Sequence, residues 1–105
     1  MRATKRKRLE SNGWRVGGAR ELLGLSDAEA SFIEVKLALS KEFRQRRLRR
    51  QLSQSDVAAR LRSSQSRVAK MEAGDPSVSI DLLVRSLLAL GASRAELAES
   101  IARVG

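Results

Sequence analysis

The feature that most constrains the fold is residues 52–74, LSQSDVAARLRSSQSRVAKMEAG, where two short helical patterns are separated by a break. Ser53 and Asp56 form an S-x-x-D start signal, in which the serine oxygen accepts an unpaired amide hydrogen of the first helical turn. The spacing predicts a helix from about Gln54 to Leu61. Its apolar residues fall on one narrow stripe: Val57, Ala58 and Leu61.

A second short helix is predicted after Arg62-Ser63. Ser64 is its N-cap candidate, and Gly74 supplies the left-handed residue that commonly ends a helix. Val68 and Met71 repeat the buried i, i+3 spacing. The outward face of this helix is polar and carries no acid; its residues are Gln65, Ser66, Arg67, Ala69 and Lys70.

Composition limits what this pair of helices can belong to. A chain of 105 residues is the size of one domain, and with only 3% aromatic residues its core must consist of Leu, Val, Ile and Ala. The absence of Cys and His excludes disulfides, thiol nucleophiles, imidazole bases and zinc-finger ligation. Because the acids are spread among caps and surface positions, we expect neither an enzyme nor a cofactor or metal.

The positive charge is concentrated in two places. The net charge is +9; residues 1–8 carry five cations and no acid, and residues 41–50 carry six cations against Glu42 alone. Residues 75–105, by contrast, hold four acids and three arginines. This distribution is typical of a surface that meets a polyanion, although a merely solvated surface stays an alternative.

The amino-terminal part is predicted to be separate from the domain. Residues 1–18 mix a basic run with glycines and read as a basic, disordered arm, leaving residues 19–105 as the domain. Trp14 either packs onto the domain or anchors a partner. The arm either enters a DNA groove or only raises non-specific affinity. Lacking an apolar leader or a membrane-length segment, the chain is expected to be cytoplasmic.

A capping box at Ser26-Asp27-Ala28-Glu29 predicts a long helix to about Arg50, preceded by a short apolar turn at residues 19–25. Phe43 and Leu48 are expected to point inward. The first half is apolar over a wide arc, so we infer that part of it packs on another subunit. The alternative is that residues 19–25 and the last helix cover this arc.

Two further helices are predicted after Gly74. Ser77 or Ser79 caps one that runs through Leu90, and a capping box at Ser93–Glu96 opens a last helix to about Val104. No strand signal appears in the sequence. The prediction is therefore an all-α domain of five helices, with a helix-turn-helix at residues 53–74.

The residues of this motif resemble the helix-turn-helix of the lambda-repressor-like Xre/Cro family. Gln54 opens the first helix, Ala58 is small, and Glu72-Ala73-Gly74 gives the family's E-x-G ending. The resemblance covers about 23 residues and extends more loosely to about Ala92. Arg62 is a departure, because the family usually has Gly at the turn. Either the turn is less left-handed here, or about 1–2 kcal/mol of stability is given up.

The resemblance implies how the protein would bind double-stranded DNA. A helix with polar residues at its start fits the major groove, which is about 12 Å wide and shows a distinct pattern at each base pair. The residues expected to read base edges are Gln65, Ser66, Arg67 and Lys70. The residues expected to contact phosphates are Ser53, Gln54, Ser64, Arg44, Arg47 and Arg50. Both serines are expected to cap helices as well.

One such module reads few base pairs, so the resemblance implies a repressor that binds a palindromic operator as a homodimer. The sequence of residues 64–77, SQSRVAKMEAGDPS, is similar to that of HigA-like antitoxins. This resemblance implies a cognate toxin as a further partner. A prokaryotic, nucleoid-associated regulator is expected in either case. The alternative is a bridging or toxin-neutralising protein-interaction module without operator specificity.

Overall fold

The computed structural model describes residues 26–103, and these form five helices without a strand. The helices are α1 (Asp27–Arg49), α2 (Gln54–Leu61), α3 (Gln65–Ala73), α4 (Ile80–Ala89) and α5 (Arg94–Ala102). The all-α, five-helix prediction is confirmed for this part of the chain, and the architecture is compatible with a lambda-repressor-like fold. The predicted arm with Trp14, the turn at 19–25 and the end of the last helix at Val104 lie outside the described residues.

The chain divides into two compact units, residues 1–33 and 34–105. Of the first unit, only residues 26–33 are described, and they form the beginning of α1. The second unit contains the rest of α1 and the other four helices.

A serine precedes every described helix and caps it. In each case the serine hydroxyl oxygen accepts the amide hydrogen of the third residue along the chain, at 2.9–3.1 Å. The five caps are Ser26, Ser53, Ser64, Ser79 and Ser93. Ser79, rather than Ser77, is the cap of α4. Each such cap is typically worth about 1 kcal/mol, so these serines help to fix where the helices start.

Four of the five described helices are followed by a left-handed residue, and two of these residues are not glycine. Gly74 (φ 68°) and Gly91 (φ 94°) follow α3 and α4, whereas Gln51 (φ 57°) and Arg62 (φ 55°) follow α1 and α2. Arg62 is fully left-handed, with ψ 47°. The Ser63 amide then donates to the Ala58 carbonyl at 2.8 Å, as in the usual glycine-ended turn. The turn therefore has the family's usual left-handed geometry, and Arg62 adopts it at a cost in backbone strain.

The core lies where all five helices contribute apolar side chains. Phe43 is fully buried and is the aromatic residue of this core, as its position in the helical pattern predicted. The other fully buried side chains are Leu39, Val57, Val68, Met71, Leu83 and Leu87. This packing fixes α3 with Val68 and Met71 inward and its polar residues outward.

The inward placement of Leu48 was wrong, because its side chain is 48% exposed. Leu48 lies five positions after Phe43, which is a rotation of about 140° around an α-helix, so the two cannot share one face. The apolar arc of α1 also retains exposed residues: Phe32, Ile33 and Leu37.

Candidate nucleic-acid interface

The outward face of α3 carries the four residues predicted to read bases. Gln65, Ser66, Arg67 and Lys70 are all exposed. The first turn of α3 contains no acid, and the Ser64 hydroxyl satisfies the Arg67 amide at 3.1 Å. The other amides of that turn add a positive partial charge at the exposed amino end of the helix.

Gln65 is held by a hydrogen-bonded relay that joins α2 and α3. Its Nε2 donates to Oε1 of Gln54 at 2.7 Å, and Nε2 of Gln54 donates to Oε1 of Glu72 at 3.2 Å. Gln54 opens α2, while Gln65 and Glu72 lie near the two ends of α3. The relay therefore fixes the exposed glutamine against the helix that packs beside it.

Glu72 anchors this relay, since its side chain is only 5% exposed. Arg47 of α1 donates two hydrogen bonds to this carboxylate, from Nε to Oε2 and from Nη2 to Oε1 at 3.0 Å. Arg47 also donates through Nη1 to the Leu52 carbonyl at 2.9 Å. Hydrogen bonding to Glu72 raises the pKa of Arg47, with the Coulomb attraction of that carboxylate adding to the effect, while burial opposes it.

The six residues predicted to contact phosphates occupy different surroundings. Ser53 and Ser64 cap α2 and α3, and Gln54 is engaged in the relay. Arg44 is 60% exposed, with its Nε 3.9 Å from Glu72. Arg50 is exposed just after α1, with Nη2 3.0 Å from the position that a Cβ would take on Gly91.

Arg47 stands apart from the other cations of this set. Its side chain is 12% exposed, and three of its donors already have protein partners. A guanidinium committed in this way stabilises the approach of α1 to α3, and few donors remain to meet an incoming phosphate.

The amino end of α2 is stabilised by a reciprocal cap. The Ser53 amide donates to Oδ2 of Asp56 at 2.8 Å, and the Asp56 amide donates to Ser53 Oγ at 2.9 Å. These bonds to the backbone and hydroxyl of Ser53 lower the pKa of Asp56, with a small contribution from Arg60. The carboxylate thus stays ionised at neutral pH and satisfies an amide of its own helix.

Residues 38–99 match the model of a family described as "Helix-turn-helix domain". The chain belongs to the helix-turn-helix domain family. The matched range covers more than half of the chain and includes α2, α3 and the residues of the relay. Membership makes this a DNA-binding protein of the regulatory type, in a class that is typically non-enzymatic. No curated protein and no solved structure matches the chain.

The described residues lack two features that mark other classes of protein. Among residues 26–103, none of the helices has both the length and the apolar character needed to cross a membrane. The same residues contain no group of three acidic, His or Cys side chains placed to hold a metal ion.

Sequence reasoning missed the role of Glu72 and the relay that it anchors. Glu72 was noted only as part of the E-x-G ending of the helix-turn-helix. A signal was present, because Glu72 is the only acid in a helix that otherwise presents polar and basic residues. Its partners lie 18 and 25 residues away in sequence, at Gln54 and Arg47, so helical periodicity could not connect them.

Proposed function

We propose that this helix-turn-helix protein is a sequence-specific repressor whose α3 reads base edges in the major groove. Gln65, Ser66, Arg67 and Lys70 are the reading residues. The observation that carries the proposal is the relay, because it orients an exposed glutamine before any DNA is bound. Preorganised side chains lose less conformational entropy on binding, which favours specific recognition.

The relay also suggests which base Gln65 reads. Its amide group has two hydrogens and one oxygen, and the bond to Gln54 uses one of those hydrogens. The remaining hydrogen and the oxygen match the N7 acceptor and the N6 donor of adenine. We therefore expect an adenine at the base pair that faces Gln65.

Backbone phosphates are proposed to bind around this reading face. The proposed contacts are Ser53, Gln54 and Ser64 at the amino ends of α2 and α3, together with the exposed Arg44 and Arg50. Arg47 was also predicted to contact phosphate. We now propose that it holds α1 against α3 instead, because its donors bind Glu72 and the Leu52 carbonyl.

A homodimer on a palindromic operator completes the proposal, acting at the prokaryotic nucleoid in the cytoplasm. One α3 covers only a few base pairs, and two recognition helices about 34 Å apart would read two half-sites. Leu37 supports pairing, since a leucine that is 51% exposed on α1 gains from being covered. Replacing Leu37 with Glu should yield a monomer in sedimentation experiments and weaken operator binding.

Selection of bound sequences from a random duplex pool, followed by gel shifts, tests the reading residues. Gln65→Ala and Lys70→Ala should each lower affinity for the selected operator by about 1–3 kcal/mol, and Gln65→Ala should relax the preference for adenine. Glu99→Ala, an exposed change on α5, is the control. Unchanged affinity and preference in both reading variants would disprove the assignment of α3.

A protein-interaction role is the second candidate, favoured by the exposed apolar residues of α1. A cognate toxin, as the similarity to HigA-like antitoxins implies, would be one such partner. A bridging module predicts that the selection yields no preferred sequence. An antitoxin predicts both an operator and a tight complex with a small protein expressed from an adjacent gene.

A further inference from the structure

An open pocket of about 350 Å³ lies beside the turn of the helix-turn-helix, where α2, α3 and α4 meet. Its lining combines apolar side chains of all three helices with three arginines. The apolar members are Leu61, Met71 and Leu82, and the cationic members are Arg62, Arg67 and Arg85. No acid lines the pocket, so the local potential is positive.

These three guanidinium groups are largely uncommitted. Within residues 26–103, Arg62 and Arg67 form no ion pair with an acid. The Nε of Arg85 lies 3.2 Å from Asp81, but both side chains are more than 70% exposed. Exposed pairs of this kind are weak, so an anion could compete for Arg85.

The backbone at Arg62 is a second and independent observation. Its left-handed conformation costs a residue with a Cβ about 1–2 kcal/mol, a cost that glycine avoids. Strain of this kind is found more often at active and ligand-binding sites than elsewhere. Gln51 has a similar φ but does not line this pocket, so Arg62 is distinguished by combining the strained backbone with a place in the lining.

We propose that this pocket binds a small organic phosphate monoester. Guanidinium groups pair with phosphate through paired, charge-assisted hydrogen bonds, and three of them suit a dianion. Leu61 and Leu82, which are only partly buried, provide apolar surface for a short organic group. The volume is at the lower end of the range for small-molecule sites, which fits a ligand of this size.

Arg67 connects the pocket with the reading face, because it lines the former and is exposed on the latter. A guanidinium that holds a phosphate monoester is withdrawn from DNA. This consequence rests on the proposed function: occupancy of the pocket lowers DNA affinity, and by linkage DNA lowers affinity for the monoester.

The binding step can be tested without DNA by titrating phenyl phosphate into the full chain and measuring the heat of binding. We expect saturable binding that is at least five-fold tighter than binding of inorganic phosphate, because the ring contacts the apolar lining. Arg62→Gln and Arg85→Gln should each weaken binding about ten-fold. The matched control is Arg94→Gln, which removes an exposed charge outside the pocket and should change binding less than two-fold. Circular dichroism confirms that each variant is folded.

Three results would overturn the proposal: absence of saturable binding, equal losses in all three variants, or binding of inorganic phosphate as tight as that of phenyl phosphate. A parallel titration with duplex DNA separates the two sources of phosphate. Phenyl phosphate could fail to bind while Arg62→Gln and Arg85→Gln weaken duplex binding more than Arg94→Gln does. That result would mean that these arginines bind the DNA backbone, and it would also overturn the proposal. The Gln65 and Lys70 variants test the proposed function separately.

Discussion

Removing the carboxylate of Glu72 should destabilise the domain severely. Glu72→Ala leaves Arg47 with its charge in a site where the side chain is only 12% exposed. The substitution also removes the acceptor for Gln54. Breaking a buried ion pair from one side typically costs about 3–5 kcal/mol, because the remaining charge stays desolvated.

The expected loss is at the lower end of that range. Arg47 keeps its bond to the Leu52 carbonyl and has some access to water, so we expect about 3 kcal/mol. For a domain of this size, that corresponds to a fall in Tm of about 12–24 °C. Small domains are stable by only about 5–15 kcal/mol, so a large share of the total would disappear.

Thermal and urea denaturation followed by circular dichroism at 222 nm measure this loss. Glu99→Ala is the matched control, because Glu99 is 72% exposed in its pair with Arg103, and such surface pairs contribute about 0.5 kcal/mol. Glu72→Gln should fall between the two, since it keeps one acceptor oxygen. If Glu72→Ala and Glu99→Ala lose the same stability within about 0.5 kcal/mol, the role given to Arg47 and Glu72 is incorrect.

Three further predictions concern the turn after α2, the salt dependence of DNA binding and the response of stability to acid. Arg62→Gly should raise the free energy of unfolding by about 1 kcal/mol in urea denaturation, because glycine adopts the left-handed turn without strain, and a loss of stability would contradict this. Arg44→Gln and Arg50→Gln should each reduce the slope of log affinity against log salt by about 0.9, if each residue neutralises one phosphate; an unchanged slope would remove that residue from the DNA contacts. Caps at Ser53 and Ser93 lower the pKa of Asp56 and of Glu96, respectively. Their stabilisation is therefore complete above the unfolded pKa of about 4 and is lost as pH falls through the lower folded values. Asp56→Asn should flatten the fall of Tm in acid, and an unaltered profile would contradict this reasoning.

Local signals predicted most of the fold. Ser53 with Asp56 and Ser93 with Glu96 mark helix starts because each cap is completed within four residues. The exposed positions of α3 followed from the buried pair Val68 and Met71. In these cases the determining contacts are near in sequence or repeat with the helical period.

Two features could not be predicted from local patterns: an unusual backbone conformation and a contact between distant segments. The left-handed Gln51 ends α1 although nothing in its side chain favours that conformation. The pairing of Arg47 with Glu72 spans 25 residues and depends on how closely α1 approaches α3. Arg47 was predicted to contact phosphate because its position beside other cations is visible in the sequence, whereas its partner is not.

Under the proposed function, the bond between Gln65 and Gln54 couples the two positions, so a change of base preference involves both residues. An apolar replacement for Gln65 would leave the oxygen of the partly exposed Gln54 to water, and a replacement for Gln54 would release Gln65 from its orientation. Changes of operator preference should therefore arise as correlated substitutions on α2 and α3, with double-mutant cycles showing strong epistasis between the two glutamines.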